Sequence, residues 1–317
     1  MVKNIITKRI LITSIALFAI AMFSFIPKET SNNLDKIKQE LEYVDIEIKT
    51  HNIFLLDINN YVALTKVIVQ NDDTVKLAKE LLEILIVDGI GQSKVPSGFR
   101  SIIPSGTQII DVTYDNNTLK LNFTKEFLEV NKNVEEKLLE SIIFTMTSIK
   151  GVDKVIIYIE GEILTKLPKT GRSLPSTFER SYGINKAYDI NNIKDVVGIT
   201  VYYVNEHNNN YYYVPVTTYV NDKREKISII IDELTNNFIH VDNLMSFLNQ
   251  DVKLLSSSIE NNVMTLSFNE AIFNSINEKN ILEEVIYTIS LSIGDNYNVD
   301  EVLFNVENNE ICKKSLE

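Results

Sequence analysis

The chain has 317 residues, a formal net charge of −12, one cysteine, three histidines and no tryptophan. At 44% hydrophobic and 23% charged residues it has the makeup of a globular protein with a sizeable core, and its length suggests about two domains. The acidic balance excludes a general nucleic-acid binder, because neutralising phosphates needs clustered Lys and Arg. The single Cys312 excludes an intramolecular disulfide framework and a thiolate-rich metal cluster. The basic residues are too dispersed for a polybasic membrane patch, which leaves an enzyme, a binding module or an assembly component.

Lys3, Lys8 and Arg9 precede an uncharged run from Ile10 to Ile26, closed by Pro27 and Lys28. Such a run is at the short end of what spans a bilayer core of ~30 Å. The basic flank puts the N-terminal side in the cytoplasm and everything after Lys28 outside. Residues 1–28 are therefore read as a retained single-pass anchor in the cell membrane. A cleaved signal peptide is the lesser alternative: Ala19-Ile-Ala21 is a small-x-small site, but the bulky Met22, Phe23 and Phe25 follow it. A buried core helix would not explain the basic flank. No cysteine follows the run, so lipid attachment is not expected. Cys312 is read as a tolerated surface or edge residue, with pairing between chains as the alternative.

A polar linker over 29–47 leads into a pattern that occurs twice. Asn52–Asp57 and Asn59–Lys66 read as strand, turn, strand, and Thr200–Val204 with Tyr211–Thr217 repeat that plan. Leu119–Phe127 resembles Met264–Phe273, and Leu138–Thr145 parallels Ile281–Thr288. The matching segments lie about 145–150 residues apart, too far for a solenoid and suited to a duplicated domain. In the first unit, apolar spacing predicts a helix over 73–87 with N-cap oxygens at Asn71–Asp73 and a stop at Gly89. A hairpin follows (108–113 and 118–123, around Asp115-Asn-Asn117), then a helix over 134–149 ended by Gly151 and a strand over 154–159. The expected fold is α+β, two tandem β-β-α-β-β-α-β domains over 48–162 and 197–311. A Pro/Gly-containing linker over 163–196 joins them. In each domain two helices should cover one face of a three-stranded antiparallel-hairpin sheet, leaving strand edges that could pair with another chain.

The chemistry sought is mostly missing. His51, His207 and His240 lie in separate segments without a second histidine at zinc spacing. Gly89-Ile-Gly91 follows a helix and lacks a third glycine, and no nucleophile elbow or phosphate loop is present. Asp111 and Asp115 could be imagined as a glycosidase pair, but acids around turns are ordinarily solvated turn formers. Catalytic residues, metal ligands and cofactors are therefore expected to be none. Two surfaces remain. The Gly89–Thr107 stretch is long for a compact domain. In it, Pro104 and Ser105 suit a type I turn with Gly106 at its closing position, and Thr107 opens a strand. Ser97, Gly98, Arg100, Ser101, Pro104, Gly106 and Thr107 form this candidate interaction loop, with a shaped loop closing the core edge as the plainer reading. Alternation along the second aromatic hairpin puts Tyr211 and Tyr213 on one face and Tyr212 on the other. That face is a candidate glycan or protein contact surface, or else simple cross-strand packing. Opposite the loop, the second unit has 238–254 without Pro or Gly, and Val241, Leu244, Phe247 and Leu248 show helical spacing.

Ser97-Gly-Phe-Arg-Ser-Ile-Ile-Pro-Ser-Gly-Thr107, with Leu121-Asn-Phe-Thr-Lys-Glu-Phe127 after it, and Phe178-Glu-Arg-Ser-Tyr-Gly-Ile-Asn185 carry a resemblance. With the duplication, they resemble the GerM domain family of sporulation and spore germination proteins in endospore formers, over nearly all of 50–310. The resemblance implies an extracytoplasmic protein at the membrane between mother cell and forespore, built of domains related to the ring-building domains of secretion-like assemblies. The expected function is a non-enzymatic scaffold that contacts other sporulation membrane proteins or itself. A peptidoglycan-binding or lytic factor is the alternative, and a two-lobed solute receptor is a third reading.

Overall fold

The computed structural model describes residues 49–236, 243–275, 279–307 and 309–316. The N-terminal segment and polar linker, His240 and Val241 lie outside them. No helix among the described residues is long and apolar enough to cross a membrane.

The first unit begins with the hairpin β1 (Thr50–Asp57) and β2 (Val62–Ile68), followed by helix α1 (Thr74–Leu85). Asp73 caps α1 through its side chain, accepting from the Lys76 N–H at 2.9 Å. The helix stops two residues before the predicted end. Ile86 turns extended and bridges to Ile103, so β-type pairing of the following loop, not Gly89, terminates it. A short β3 (Phe99–Arg100) pairs with Leu56 and Asp57 of β1. Then come β4 (Ile109–Asp115), β5 (Thr118–Phe123), helix α2 (Glu135–Met146), β6 (Lys154–Ile159) and β7 (Glu162–Ile163). These four strands form their own sheet in the order β4-β5-β6-β7, with β5 and β6 parallel because α2 crosses between them. The second helix likewise ends before its predicted stop, and Gly151, at φ 85°, belongs to the turn that follows.

The second unit repeats this order: β9 (Val197–His207), β10 (Asn210–Val220), α3 (Lys226–Thr235), β11 (Leu254–Glu260), β12 (Val263–Phe268), α4 (Glu283–Asn296), β13 (Glu301–Val306) and β14 (Asn309–Ser315). Strands β11-β12-β13-β14 form the second four-stranded sheet. Three hairpins turn on paired asparagines, Asn116-Asn117, Asn208-Asn209 and Asn261-Asn262, with both residues at φ between 47° and 61°. That is the mirror-image turn whose twist suits a hairpin, and Asn tolerates it better than most side chains. The predicted helical spacing in the second unit is not helical where described. Residues 243–253 are irregular, and Met245 bridges Val204 of β9 by hydrogen bonds of 2.8 Å each way, as β3 does at β1. Leu244 and Leu248 are buried anchors of this strap.

Each three-strand expectation gives way to a four-stranded sheet, and the initial hairpins separate from it. The two hairpins join each other in a central sheet, β3-β1-β2-β10, with β9 completing its own hairpin beside β10. The junction is a single antiparallel rung, Leu64 opposite Tyr213. Phe54 opposite Leu64 matches Tyr202 opposite Pro215, so in the repeat Leu64 corresponds to Pro215 and Val62 to Tyr213, and the rung and the facing pair Val62–Pro215 are matching positions of the seam. Their cores are separate except at this seam, where Tyr202 enters the first core and Ala63 the second.

Helices seal the outer edges of the hairpins with hydroxyl groups. The Phe54 N–H donates to Thr145 Oγ1 (2.9 Å), and Ser141 Oγ donates to the Phe54 carbonyl (2.6 Å). In the second unit the Tyr202 N–H donates to Ser292 Oγ (2.9 Å), and Asn296 Nδ2 donates to the Thr200 carbonyl (2.7 Å). An unpaired buried backbone group costs about 1–3 kcal/mol, so polar side chains are required on these otherwise apolar helix faces.

The linker clamps the seam. Phe178 pairs with Val155 of β6, and β8 (Ala187–Asp189) runs parallel beside β10. Asn185 Nδ2 donates to the carbonyls of Val62 and Pro215, both at 2.8 Å, while its Oδ1 accepts from the Val62 N–H at 3.0 Å. One amide thus bridges β2 and β10 where they part. Lys186 Nζ pairs with Glu140 (3.1 Å) and Glu136 (2.6 Å) on α2. Burial pushes the Glu140 carboxyl above the ordinary glutamate range despite that lysine. Arg180 donates to Asp295 on α4 and to Ser148 Oγ (2.8 Å) after α2, and Tyr202 OH donates to Asp295 at 2.8 Å. Burial likewise raises the Asp295 carboxyl against the pull of Arg180.

Replacing Arg180 with Ala strands the Asp295 carboxylate, whose side chain is only 9% exposed. The expected loss is about 3–5 kcal/mol in denaturant unfolding. Arg172→Ala, at the more exposed Glu136 pair, should cost under about 1 kcal/mol. A raised Glu140 pKa means that the folded state holds more protons from about pH 4 up to the folded value. Its contribution to stability therefore declines as pH rises through that window. Unfolding of the wild type and Glu140→Gln at several pH values should show their difference shrinking with pH, and a flat difference would contradict the assignment.

Candidate functional site

The candidate loop lies along the seam. Gly98, at φ 87°, sits so close to the His207 ring that a Cβ there would lie 2.5 Å from it. Phe99 meets Tyr212 edge to face at 5.0 Å, and Arg100 donates to Asn60. Ser101 is buried and donates to the Ile84 carbonyl at 2.7 Å, holding the loop to α1. The Thr107 N–H donates to the Pro104 carbonyl (3.2 Å) with Gly106 at φ 83°. Positive φ at the third turn position is a type II feature, so the expected type I turn is corrected, and glycine is there for backbone reasons. Thr107 is buried, while Ser97, Arg100 and Gly106 are exposed and Pro104 is half-buried. The loop's apolar edge thus faces the second unit.

Asp57, at the boundary of strand and turn, is fully buried at the same place. Its Oδ1 accepts from the N–H groups of Asn59 and Tyr61 (2.8 Å each), and its Oδ2 accepts from Tyr212 OH (2.9 Å) and Asn205 Nδ2 (3.2 Å). Four donors make this carboxylate a fixed joint between the units. Burial and Asp57 together push the Tyr212 hydroxyl well above its ordinary range.

Tyr211 and Tyr213 share a face, as alternation requires, and Tyr212 points the other way into the core. Tyr211 is 48% exposed and leans on Phe247, whereas Tyr213 stacks on Tyr287 at 5.5 Å. Both line a cleft of about 840 Å³ where β2 and β10 diverge, walled by α4 and by residues 147–150 after α2. The Lys314 ammonium lies 3.8 Å over the far side of Tyr287. Lys66 is exposed at the same cleft and pairs with no acid among the described residues. The two acids that line it are already engaged, Asp72 with Lys49 (2.5 Å) and Asp295 with Arg180. Two buried polar atoms there, His51 Nε2 and Ser290 Oγ, have no partner. Sequence reasoning found the tyrosines through strand alternation. It missed Lys66, Tyr287 and Lys314, which only the seam brings together.

Asp111 and Asp115 are both exposed on β4, at its second rung and at its end. No cluster of three or more His, Cys, Asp or Glu side chains able to hold a metal occurs among the described residues.

The comparisons with known proteins agree with the duplication. The Germane family profile, described as sporulation and spore germination, matches residues 52–165 and again 200–312. The chain is 33% identical over 261 residues to the spore germination protein GerM of Bacillus subtilis, spanning 80% of this chain and 70% of that protein. The solved tandem GerMN domains of that sporulation protein superpose with a TM-score of 0.75 at 30% identity, over 83% of this chain and 92% of theirs. Two copies of the profile, each on one structural unit and joined as in the solved tandem, identify this chain as a member of the Germane family of sporulation and spore germination proteins.

Proposed function

We propose that the chain is a non-enzymatic assembly component of sporulation and germination, held at the mother cell–forespore membrane with its two domains outside the cytoplasm. It works by protein–protein contacts. The observation that carries this reading is the pair of outer strands, β4 and β11, each unpaired on its far side in its four-stranded sheet. Exposed Ile110, Leu255 and Ile259 decorate them at 50–60% accessibility, and an unpaired edge with apolar side chains is a template for another chain. The buried acids and arginine of the seam are engaged in holding the units together, which leaves them no catalytic task. The basic-flanked apolar run at 10–26 supports the membrane placement.

The test is crosslinking in sporulating cells with Ile110→Lys and the double variant Leu255→Lys, Ile259→Lys. These surface changes should leave stability within about 0.5 kcal/mol. They should reduce recovery of partner proteins severalfold and impair spore formation or germination. Unchanged recovery and phenotype would overturn the edge reading. Sedimentation of the wild type with purified cell-wall sacculi, or clearing of them, would move the assignment to a peptidoglycan-binding or lytic factor.

A further inference from the structure

The Leu64–Tyr213 rung divides the seam, with Val62 and Pro215 on one side of it and Lys66 and Tyr211 on the other. On the first side Asn185 bonds the Val62 N–H and carbonyl and the Pro215 carbonyl. Strand alternation then fixes the other side. If the peptide groups of Val62 and Pro215 face the seam, so do those of Lys66 and Tyr211. No side chain among the described residues bonds them there, and the space is the cleft.

We infer that this cleft is a docking site for an extended acidic peptide segment of a partner protein, which adds as a short strand against β2 at Lys66. The inference rests on the protein-contact reading above and names a second surface for it. Four observations converge. Lys66 and Tyr211 present backbone donors and acceptors on the side of the rung away from Asn185. Lys66 and Lys314 supply positive charge in a chain of net charge −12, and the acids that line the cleft are already paired. Tyr211 and Tyr213 offer a ledge for alternate apolar side chains of a strand. His51 Nε2 and Ser290 Oγ, the latter in a residue 2% exposed, are buried at the cleft without partners. The volume is that of a built ligand site, commonly about 300–1,000 Å³. Main-chain bonds give such docking its affinity, and the charges choose the sequence.

The probe is a fluorescein-labelled peptide of alternating Glu and Val, with an alternating Lys and Val peptide as control, titrated into the full chain in detergent. The acidic peptide should bind, more weakly as salt rises, and should slow amide exchange at Lys66 and Tyr211. Lys66→Glu with Lys314→Glu should weaken it at least tenfold. Thr113→Lys, on the exposed face of β4, should leave it unchanged. Equal binding of both peptides, no binding at millimolar concentration, or protection confined to β4 and β11 would overturn the cleft assignment. The last outcome would leave the outer-strand reading standing. Protection at the cleft by soluble muropeptides, and not by the acidic peptide, would overturn it in favour of a glycan.

Discussion

One rung of backbone pairing, Leu64 against Tyr213, organises the molecule. It joins the second strands of the two initial hairpins, and two residues along each strand Val62 and Pro215 face each other across the same seam. Everything else at the seam follows from that geometry. Strands twist relative to one another by about 20–25° in sheets, and these hairpins part company on either side of the rung. Their backbone groups then need other partners. Asn185 provides them on one side, which explains why a linker amide, at φ 44°, is held in place by so many neighbours.

The helices answer the same demand at the outer edges. Ser141, Thr145 and Ser292 sit on faces that periodicity would fill with aliphatic side chains, and each bonds a strand peptide group. The outer hairpin edges at Phe54 and Tyr202 thereby find their partners within the molecule, while β4 and β11 have no strand on their far side.

Much of the fold was legible because it is local. Paired asparagines marked hairpins, Asp73 marked a helix start, and strand 154–159 was read to the residue. The duplication was legible as repeated patterns. Helix ends were not, because Ile86 leaves α1 to pair with Ile103, a choice made by a distant loop. The strap at 243–253 deceived for a related reason: Leu244 and Leu248 are spaced like a helix face, but buried anchors of an irregular segment can have the same spacing. The clamp was harder still. Arg180, Asn185 and Lys186 act on residues 30 or more positions away, and nothing in a linker of mixed charge announces its targets.

The seam also has a temporal side. Tyr213 lies about 150 residues after Leu64, so the β2 edge is complete long before its partner strand exists. At synthesis rates of about 5–20 residues per second, that interval is roughly 7–30 s. A neighbouring nascent chain presents the same edge. The linker clamp, made of residues 178–189, emerges before β10 and can already occupy α2 through Lys186 and Glu140. Chain order thus lets Asn185 reach the β2 edge at Val62 before the strand that finally pairs with that edge is made.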